Sequence, residues 1–457
     1  MKKALKRVLT LTLVILLVLP VLASAEGDYE IISPYADVIW TGDDAYTAYK
    51  GNLHTHSYVS DGKEDYRDMI MEYYRQGFGF LAMTDHGVTA KPWNEKPTRI
   101  PLFLYQDIKG NTPEYLSDEE YAAVLDGSYP VNGEARGFGM TEVPGGNELN
   151  ALTVTEAHVC GLFLPAGVGN NHLGYENDHE TAVRFVDDAG GLSFINHPGD
   201  FIQERDIPGA ENDPKNVKYF SDILLRYDSC LGIEVFNKTN GGTPRDRILW
   251  DNLLMECLPY GKTVIGFSNG DSHHLDVIDA TYSVFMMPDN SLENVKKTMQ
   301  SGAFFAVTRR LAANEKLGPA DPLNAANSDL PVPMFRDISV DGHRISVTVT
   351  NAYNIQWVGN GEIIAQEDIT QSPEGYTYTL DLDAVEGSDE LLYIRCQLLG
   401  EGGVTLTQAF VIDDGSAPLQ YHTGGYALTT AARFLHRILN LRIFVLMAEL
   451  VDLIRFG

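Results

Sequence analysis

The chain predicts an α/β domain of parallel strands and crossover helices, then a small all-β sandwich and a C-terminal amphipathic helix. Three observations carry this. Helix-period segments alternate with short apolar runs as far as Arg310, the period switches to two beyond residue 335, and the final segment is apolar but broken by charges.

The amino terminus comes first. Lys2, Lys3, Lys6 and Arg7 precede an apolar run from Val8 to Leu19 and the small residues Ala23-Ser24-Ala25, the three parts of a secretory signal over residues 1–25. Cleavage is expected after Ala25, an uncleaved anchor being the alternative. The run is too short for a stable bilayer span, and no cysteine follows it to accept a lipid. The expectation is therefore a secreted or extracytoplasmic protein.

Composition narrows the partners. The 457 residues carry 34 basic and 63 acidic side chains, a net charge of −29. Removing the signal takes four positive charges, so 432 residues remain with 30 basic against 63 acidic, a net of −33. Such a surface repels polyanions and offers no basic stripe, which argues against long nucleic acids. An apolar share of 44% suffices for real cores, and the length favours two domains. Cys160, Cys230, Cys257 and Cys396 are far apart and match no close-spaced zinc pattern. Four buried thiols and disulfide pairing both remain open.

Along the α/β part, Glu64 to Gln76 sets Tyr66, Met69, Ile70, Tyr73 and Tyr74 at helical spacing and stops at Gly77, before the apolar run Phe78 to Met83. The unit recurs as Glu180 to Asp188 then Leu192 to Ile195, and as Arg247 to Cys257 then Thr263 to Phe267. A helix from Ser291 to Gln300, capped by Ser291, leads to a strand from Ala303 to Thr308. Between Gly87 and Gly145 lies a long insertion, a lid or a decoration.

Residues 311–334, rich in alanine, asparagine and proline, read as a linker. Ile338 to Val349, Ile355 to Trp357, Gly375 to Leu382, Leu391 to Leu398 and Val404 to Val411 then alternate as strands of a sandwich at 335–415. Residues 428–457 close the chain. Ala431 to Phe456 is interrupted by Arg433, His436, Arg437, Asn440, Arg442, Glu449, Asp452 and Arg455, so it is not a conventional spanning helix. Packing on its own protein, membrane-surface contact and self-association are its three readings.

Chemistry concentrates at what read as strand ends. Leu53-His54-Thr55-His56 places two imidazoles on one face of an extended strand, where both can reach one ion. Asp61, Thr84-Asp85-His86, Glu148 with His158, Asn196-His197-Pro198, and Asp271-Ser272-His273 supply the rest. In a parallel barrel the loops after the strands open on one face, so such ligands converge. Imidazole with carboxylate and no thiolate suits manganese, zinc or ferrous iron. Two neighbouring cations would lower the pKa of a shared water, giving a metal-bridging hydroxide as nucleophile and holding phosphoryl oxygens. Asp85 reads either as orienting a neighbouring ligand or as a turn cap.

This ordered set resembles the PHP superfamily, named for polymerase and histidinol phosphatase, and most of all its exported, carbaryl-hydrolase-like metallohydrolases. The resemblance covers residues 36–310 and does not extend to the sandwich or tail. It implies a distorted (β/α)7 TIM-like barrel with two or three divalent ions. By the same resemblance His54, His56, Glu148 and Asp271 hold one ion, and Glu148 bridges to a second shared with His158 and His197. Asp61, His86 and His273 complete the third. Asp61 stands where some members carry a histidine, which fits phosphodiesterase-like variants. Glu234, in Gly232-Ile233-Glu234-Val235-Phe236-Asn237, matches a family strand but is not counted as a ligand.

Taken alone, His158 shares a strand face with Cys160 and reads as a core histidine; its place after Glu148 in the resembling pattern moves it to the ligands. His274 must point away from His273 if the chain there is extended. His172 and His179 lie in a polar stretch and are expected to be solvated, contact with substrate being the alternative. No nucleophile elbow and no phosphate-binding glycine loop occurs. An amidohydrolase, which also opens on two histidines, would carry a metal-bridging lysine and a single late aspartate. The leading expectation is a secreted metal-dependent phosphoesterase for a small phosphorylated substrate. An ester, amide or carbamate hydrolase on the same site is the alternative, and a non-catalytic glycan- or protein-binding protein with a metal-stabilised barrel is the third.

Overall fold

The computed structural model describes residues 29–99, 101–151, 155–167, 178–238, 244–311, 316–318, 323–324, 330–370 and 375–422. The expected signal peptide, the tail helix, His172 and most of residues 311–334 lie outside them.

In chain order the first elements are β1 (Glu30–Ile32), β2 (Thr47–Asn52), α1 (Tyr66–Arg75), β3 (Phe80–Leu81), α2 (Asp118–Asp126), β4 (Thr141–Glu142), β5 (Asn147–Leu149) and β6 (Val159–Leu162). Next come α3 (His179–Asp188), β7 (Leu192–Ile195), α4 (Pro214–Arg226), β8 (Cys230–Asn237), α5 (Asp246–Cys257), β9 (Ile265–Asn269), β10 (Thr281–Met287), α6 (Leu292–Ser301) and β11 (Phe304–Thr308). The later strands are β12 (Met334–Asp341), β13 (Arg344–Thr350), β14 (Asn354–Gly359), β15 (Glu362–Asp368), β16 (Tyr376–Asp381), β17 (Tyr393–Gly400), β18 (Gly403–Leu406) and β19 (Phe410–Asp413).

Local chemistry explains the helices. Asp65 caps α1 by accepting from the Arg67 amide, and the helix buries Tyr66, Met69, Ile70, Tyr73 and Tyr74, the stripe its spacing predicts. Asp178 caps α3 and Ser291 caps α6 in the same way. α4, opened by Asp213 and Pro214, was not anticipated from the sequence.

Strand pairing corrects one expectation. β2–β3, β3–β4, β7–β8 and β8–β9 are parallel, but β6 runs antiparallel to both β5 and β7. The connection from β5 to β6, residues 150–158, is too short for the crossover that a parallel return requires. Five strands in the order β9-β8-β7-β6-β5 form one sheet. It meets the other sheet at two isolated parallel bridges just past β2 and β3, Thr55 with Ser272 and His86 with Glu148. Between them Leu53, Phe80, Cys160, Phe194, Phe267, Phe285 and Phe304 form one buried cluster, with ring centroids 4.7 Å apart for Phe194–Phe267 and 4.5 Å for Phe285–Phe304. Each such phenylalanine contributes roughly 1.5–3 kcal/mol by leaving water.

The later strands form two layers. β12-β13-β16 is a separate three-stranded sheet, and the predicted strand from Ile338 to Val349 is in fact the hairpin β12–β13 turned at Gly342. The predicted strand from Val404 to Val411 is likewise split, into β18 and β19, while β15 was missed. The second layer is not a sheet of its own. It belongs to an eleven-stranded sheet ordered β1-β19-β17-β18-β11-β10-β2-β3-β4, with β14 and β15 branching from β17. β18 pairs with β11 through Ala306–Leu406 and Thr308–Val404, so hydrogen bonding runs straight across the stretch read as a linker. The core follows it: Tyr35, Tyr73, Phe305, Ile345, Trp357 and Phe410 belong to one buried cluster. All four cysteines are buried and free.

Candidate metal centre

The centre begins where β2 ends. Gly51 lies against the Phe80 ring, which a Cβ there would strike at 2.0 Å, so only glycine lets β2 run this close to β3. Beyond it the Leu53 amide donates to Asn269 (3.0 Å) and the His56 amide to the Ser272 carbonyl (3.1 Å). The Tyr73 hydroxyl meets Asn52 and Thr55 from α1. These bonds present His54 and His56 on one face beside Asp271.

The nine residues singled out by sequence lie in one connected cluster. Glu148, 1% exposed, stands at its middle. Five imidazole nitrogens surround its two oxygens: His56 Nε2 at 3.0 Å, His86 Nδ1 at 3.1 Å, His54 Nε2 at 3.2 Å, His158 Nδ1 at 3.3 Å and His197 Nε2 at 3.4 Å. Asp271 Oδ1 is 3.1 Å from His56 Nε2 and 3.5 Å from His54 Nε2. Asp61 lies 3.4 Å from His273 Nε2, 3.7 Å from His56 and 3.8 Å from His86.

Such distances fit cations. Around an ion bound at about 2.0–2.1 Å, neighbouring tetrahedral ligand atoms stand roughly 3.3 Å apart. His54 Nε2 and His56 Nε2 face each other at 3.1 Å, a spacing that ligation of one shared ion would also set. The buried Nδ1 of His86 stands 3.1 Å from Glu148 without the alignment of a hydrogen bond. Among the described residues three groups could each hold an ion: His54, His56, Glu148 and Asp271; His86, Glu148 and His158; and His56, Asp61 and His86. The first is the expected quartet. In the second His86 stands where His197 was expected, with His197 3.4 Å from Glu148 and 3.9 Å from Asp271. In the third His56 joins Asp61 and His86, with His273 against Asp61.

The carboxylates of the cluster are held ionised. Burial opposes ionisation of Glu148, but His54, His86 and His158 hold it well below the ordinary carboxylate range. Burial likewise opposes Asp271, and Lys238, His54 and His56 outweigh it. His56 is buried too, yet its bonds to Asp271 and Glu148 raise its pKa to about 10, whereas burial drives His86 down to about 3. Burial pushes the Cys160 thiol up to about 11, which keeps it a thiol rather than a thiolate ligand.

Neighbours beyond the nine support the centre. Glu234, noted from the sequence but not counted as a ligand, accepts from His54 Nδ1 (3.0 Å) and orients that ring. Asn196 donates to Glu148 Oε1 at 2.6 Å. Lys238, just past β8, places Nζ 2.9 Å from Asp271 Oδ2; its basic residue in a strand-end position was the available signal. Asp85 is a turn cap: its carboxylate accepts from the amides and hydroxyls of Ser57 and Ser60. His179 is corrected. It is fully buried against Phe201, Tyr219 and Phe220, on the same helical face as Ala182, Val183 and Val186. His274 is exposed.

The insertion is docked to the centre. Arg99 donates to the carbonyls of Tyr58, Val59 and Phe103, Gln106 donates to those of Ser60 and Gly62, and Phe103 lies parallel to His86 with ring centroids 6.4 Å apart.

No family model matches the chain, and no curated protein matches it. Among solved structures it is similar to a two-domain Bacteroides vulgatus protein containing a predicted PHP-like metal-dependent phosphoesterase. The identity is 16% and the TM-score 0.41, over 83% of this chain and 98% of that one. It is similar to a lesion-specific endonuclease from Pyrococcus furiosus at 14% identity and TM-score 0.29, over 56% of each chain. An amidohydrolase from Chromobacterium violaceum has 16% identity and TM-score 0.27, over 49% of this chain and 87% of that one. The donor set itself, more than any of these likenesses, defines what the centre can do.

Proposed function

We propose that the chain is an exported metal-dependent hydrolase of the PHP type, allied to the carbaryl-hydrolase-like branch, acting as a phosphoesterase on a small phosphorylated molecule. One observation carries this reading: a single buried carboxylate, Glu148, ringed by five imidazole nitrogens at 3.0 to 3.4 Å. A lone carboxylate has no use for five such partners, whereas a carboxylate bridging two cations, each completed by histidines, has a use for all of them.

His54, His56, Glu148 and Asp271 would hold one manganese, zinc or ferrous ion, Glu148 with His158 and His86 or His197 a second, and Asp61 with His86 and His56 or His273 a third. When bound, such ions polarise a phosphoryl oxygen and bring the pKa of water toward neutrality. The chain's own residues do the positioning. Glu234 keeps the His54 proton on Nδ1, so that Nε2 faces Glu148 and Asp271. Asn196 holds Glu148 in place, and Asp85 pins the loop that carries Asp61. The ring of strands joined at Thr55–Ser272 and His86–Glu148 suits the distorted (β/α)7 barrel, with β6 reversed. Export is supported by the basic, apolar and small-residue order of residues 1–25.

Purified protein assayed with manganese against p-nitrophenyl phosphate, bis(p-nitrophenyl) phosphate and p-nitrophenyl acetate tests the chemistry. Phosphate-ester turnover that a chelator abolishes and His54→Ala with His56→Ala removes is expected. Turnover confined to carboxyl esters or carbamates replaces the phosphoesterase with the alternative hydrolase, and no turnover of any class favours a binding protein. The amino-terminal sequence of protein recovered outside the cytoplasm tests export.

A further inference from the structure

Three adjacent parallel strands lead into residues with the same unusual backbone. β7 is followed by His197 (φ 25°), β8 by Lys238 (φ 50°) and β9 by Asp271 (φ 43°). Non-glycine residues adopt positive φ at a cost, and such outliers gather where a side chain must be aimed. His197 and Asp271 are aimed into the cluster. Lys238, on the strand between them, takes the same turn.

Its surroundings fix that turn. The Lys238 carbonyl accepts from the Thr281 hydroxyl (2.5 Å), and the preceding Asn237 amide donates to Glu234 Oε2 (2.7 Å). The ammonium sits 2.9 Å from Asp271 Oδ2, yet the side chain is 45% exposed while Asp271 is 2% exposed. Lys238 thus reaches from solvent to the metal-ligand cluster. An exposed ion pair alone is worth little and does not account for a strained backbone at this point.

We propose that Lys238 receives the anionic group of the substrate, its ammonium binding a non-bridging phosphoryl oxygen at the mouth of the metal centre. The identity of that anion rests on the phosphoesterase reading. Besides the cations of the proposed centre, Lys238 brings a positive side chain from solvent to its rim, in a chain whose net charge of −29 otherwise repels an incoming phosphate. A lysine suits the task, being a compact charge with three rotatable donors.

The test is inorganic phosphate binding to the manganese-loaded full chain, read by titration calorimetry beside elemental analysis of bound metal. Lys238→Met is expected to weaken phosphate on the order of tenfold or more with metal content retained, and Lys238→Arg to recover part of the loss. Unchanged phosphate affinity in Lys238→Met, or no phosphate binding by the unaltered protein, overturns the proposal. So does a loss of metal that accounts for the whole effect, which would make Lys238 a positioning residue for Asp271. Phosphate binding that depends on Lys238 in a protein without phosphoesterase turnover would sink the reaction assignment and sustain the anion site.

Discussion

The Nδ1 of His54 lies 3.0 Å from Oε1 of Glu234, and both side chains are fully buried. Glu234 is itself immobilised by the amides of Asn237 (2.7 Å) and Asn269 (3.0 Å) and by the backbone N–H of His197 (3.0 Å). One carboxylate on β8 therefore aligns groups from β7, β9 and the end of β2.

Removing that carboxylate should loosen the metal without unfolding the protein. Glu234→Gln is expected to weaken metal affinity on the order of 10–100-fold, measured by competition with a chromophoric chelator, while far-ultraviolet circular dichroism stays unchanged. Undiminished affinity would show that His54 needs no such support.

Asp85 acts on the same centre through the backbone. Its oxygens accept from the Ser57 and Ser60 amides at 2.8 and 3.1 Å and from the Ser60 hydroxyl at 2.7 Å. Asp85→Ala strands buried donors and should cost about 2–4 kcal/mol in urea unfolding. A cost near zero would mean that the loop carrying Asp61 holds itself.

Arg395 on β17 and Asp251 on α5 form a bidentate pair with both N–O distances 2.7 Å, and the Tyr393 hydroxyl donates to the same carboxylate at 2.6 Å. Neither side chain is more than 1% exposed. Asp251→Asn or Arg395→Met should each destabilise by about 3–5 kcal/mol, and the double variant should recover part of that loss. Calorimetry of the unaltered protein should show a single transition; two well-separated transitions would refute a shared core.

Much of this was legible in the sequence, for identifiable reasons. Helices with a clear apolar stripe, such as α1 and α6, could be placed within a residue or two, because amphipathic spacing and caps are local properties. The chemistry of the centre was legible because His, Asp and Glu followed apolar runs. What failed was non-local. Periodicity carries no strand direction, so the reversal of β6 was invisible, and no pattern announces that β18 pairs with β11. Glu234 and Lys238 lay in the right segment, but their roles depend on neighbours supplied by other strands. His179 was misread from its polar flank, although its apolar neighbours at i+3, i+4 and i+7 marked the inward face.

Glu204 predicts a pH dependence away from the metal cluster. It is 1% exposed, one oxygen accepts from the Arg245 amide (2.8 Å), and it meets Asp246 beside Gly199, where a Cβ would touch both carboxyls. Burial, reinforced by the charges of Glu211 and Asp200, pushes its pKa from 4.5 up to about 8. The folded state then holds this proton more tightly than the unfolded chain. The resulting stability is fully present below about pH 4.5 and is lost as pH rises through about 8. Glu204→Gln should flatten the fall in melting temperature between those limits, and an unaltered slope would assign the dependence elsewhere.

The sheet that passes through both halves also constrains how such a chain can be rearranged by recombination. Exchanging everything after residue 330 for an unrelated segment would leave β11 with a bare edge, β1 without β19 and Asp251 without its cation. Insertions at surface turns leave these pairings untouched, but a crossover between the halves does not. Residues 30–413 are therefore expected to be inherited, and to be engineered, as one indivisible piece.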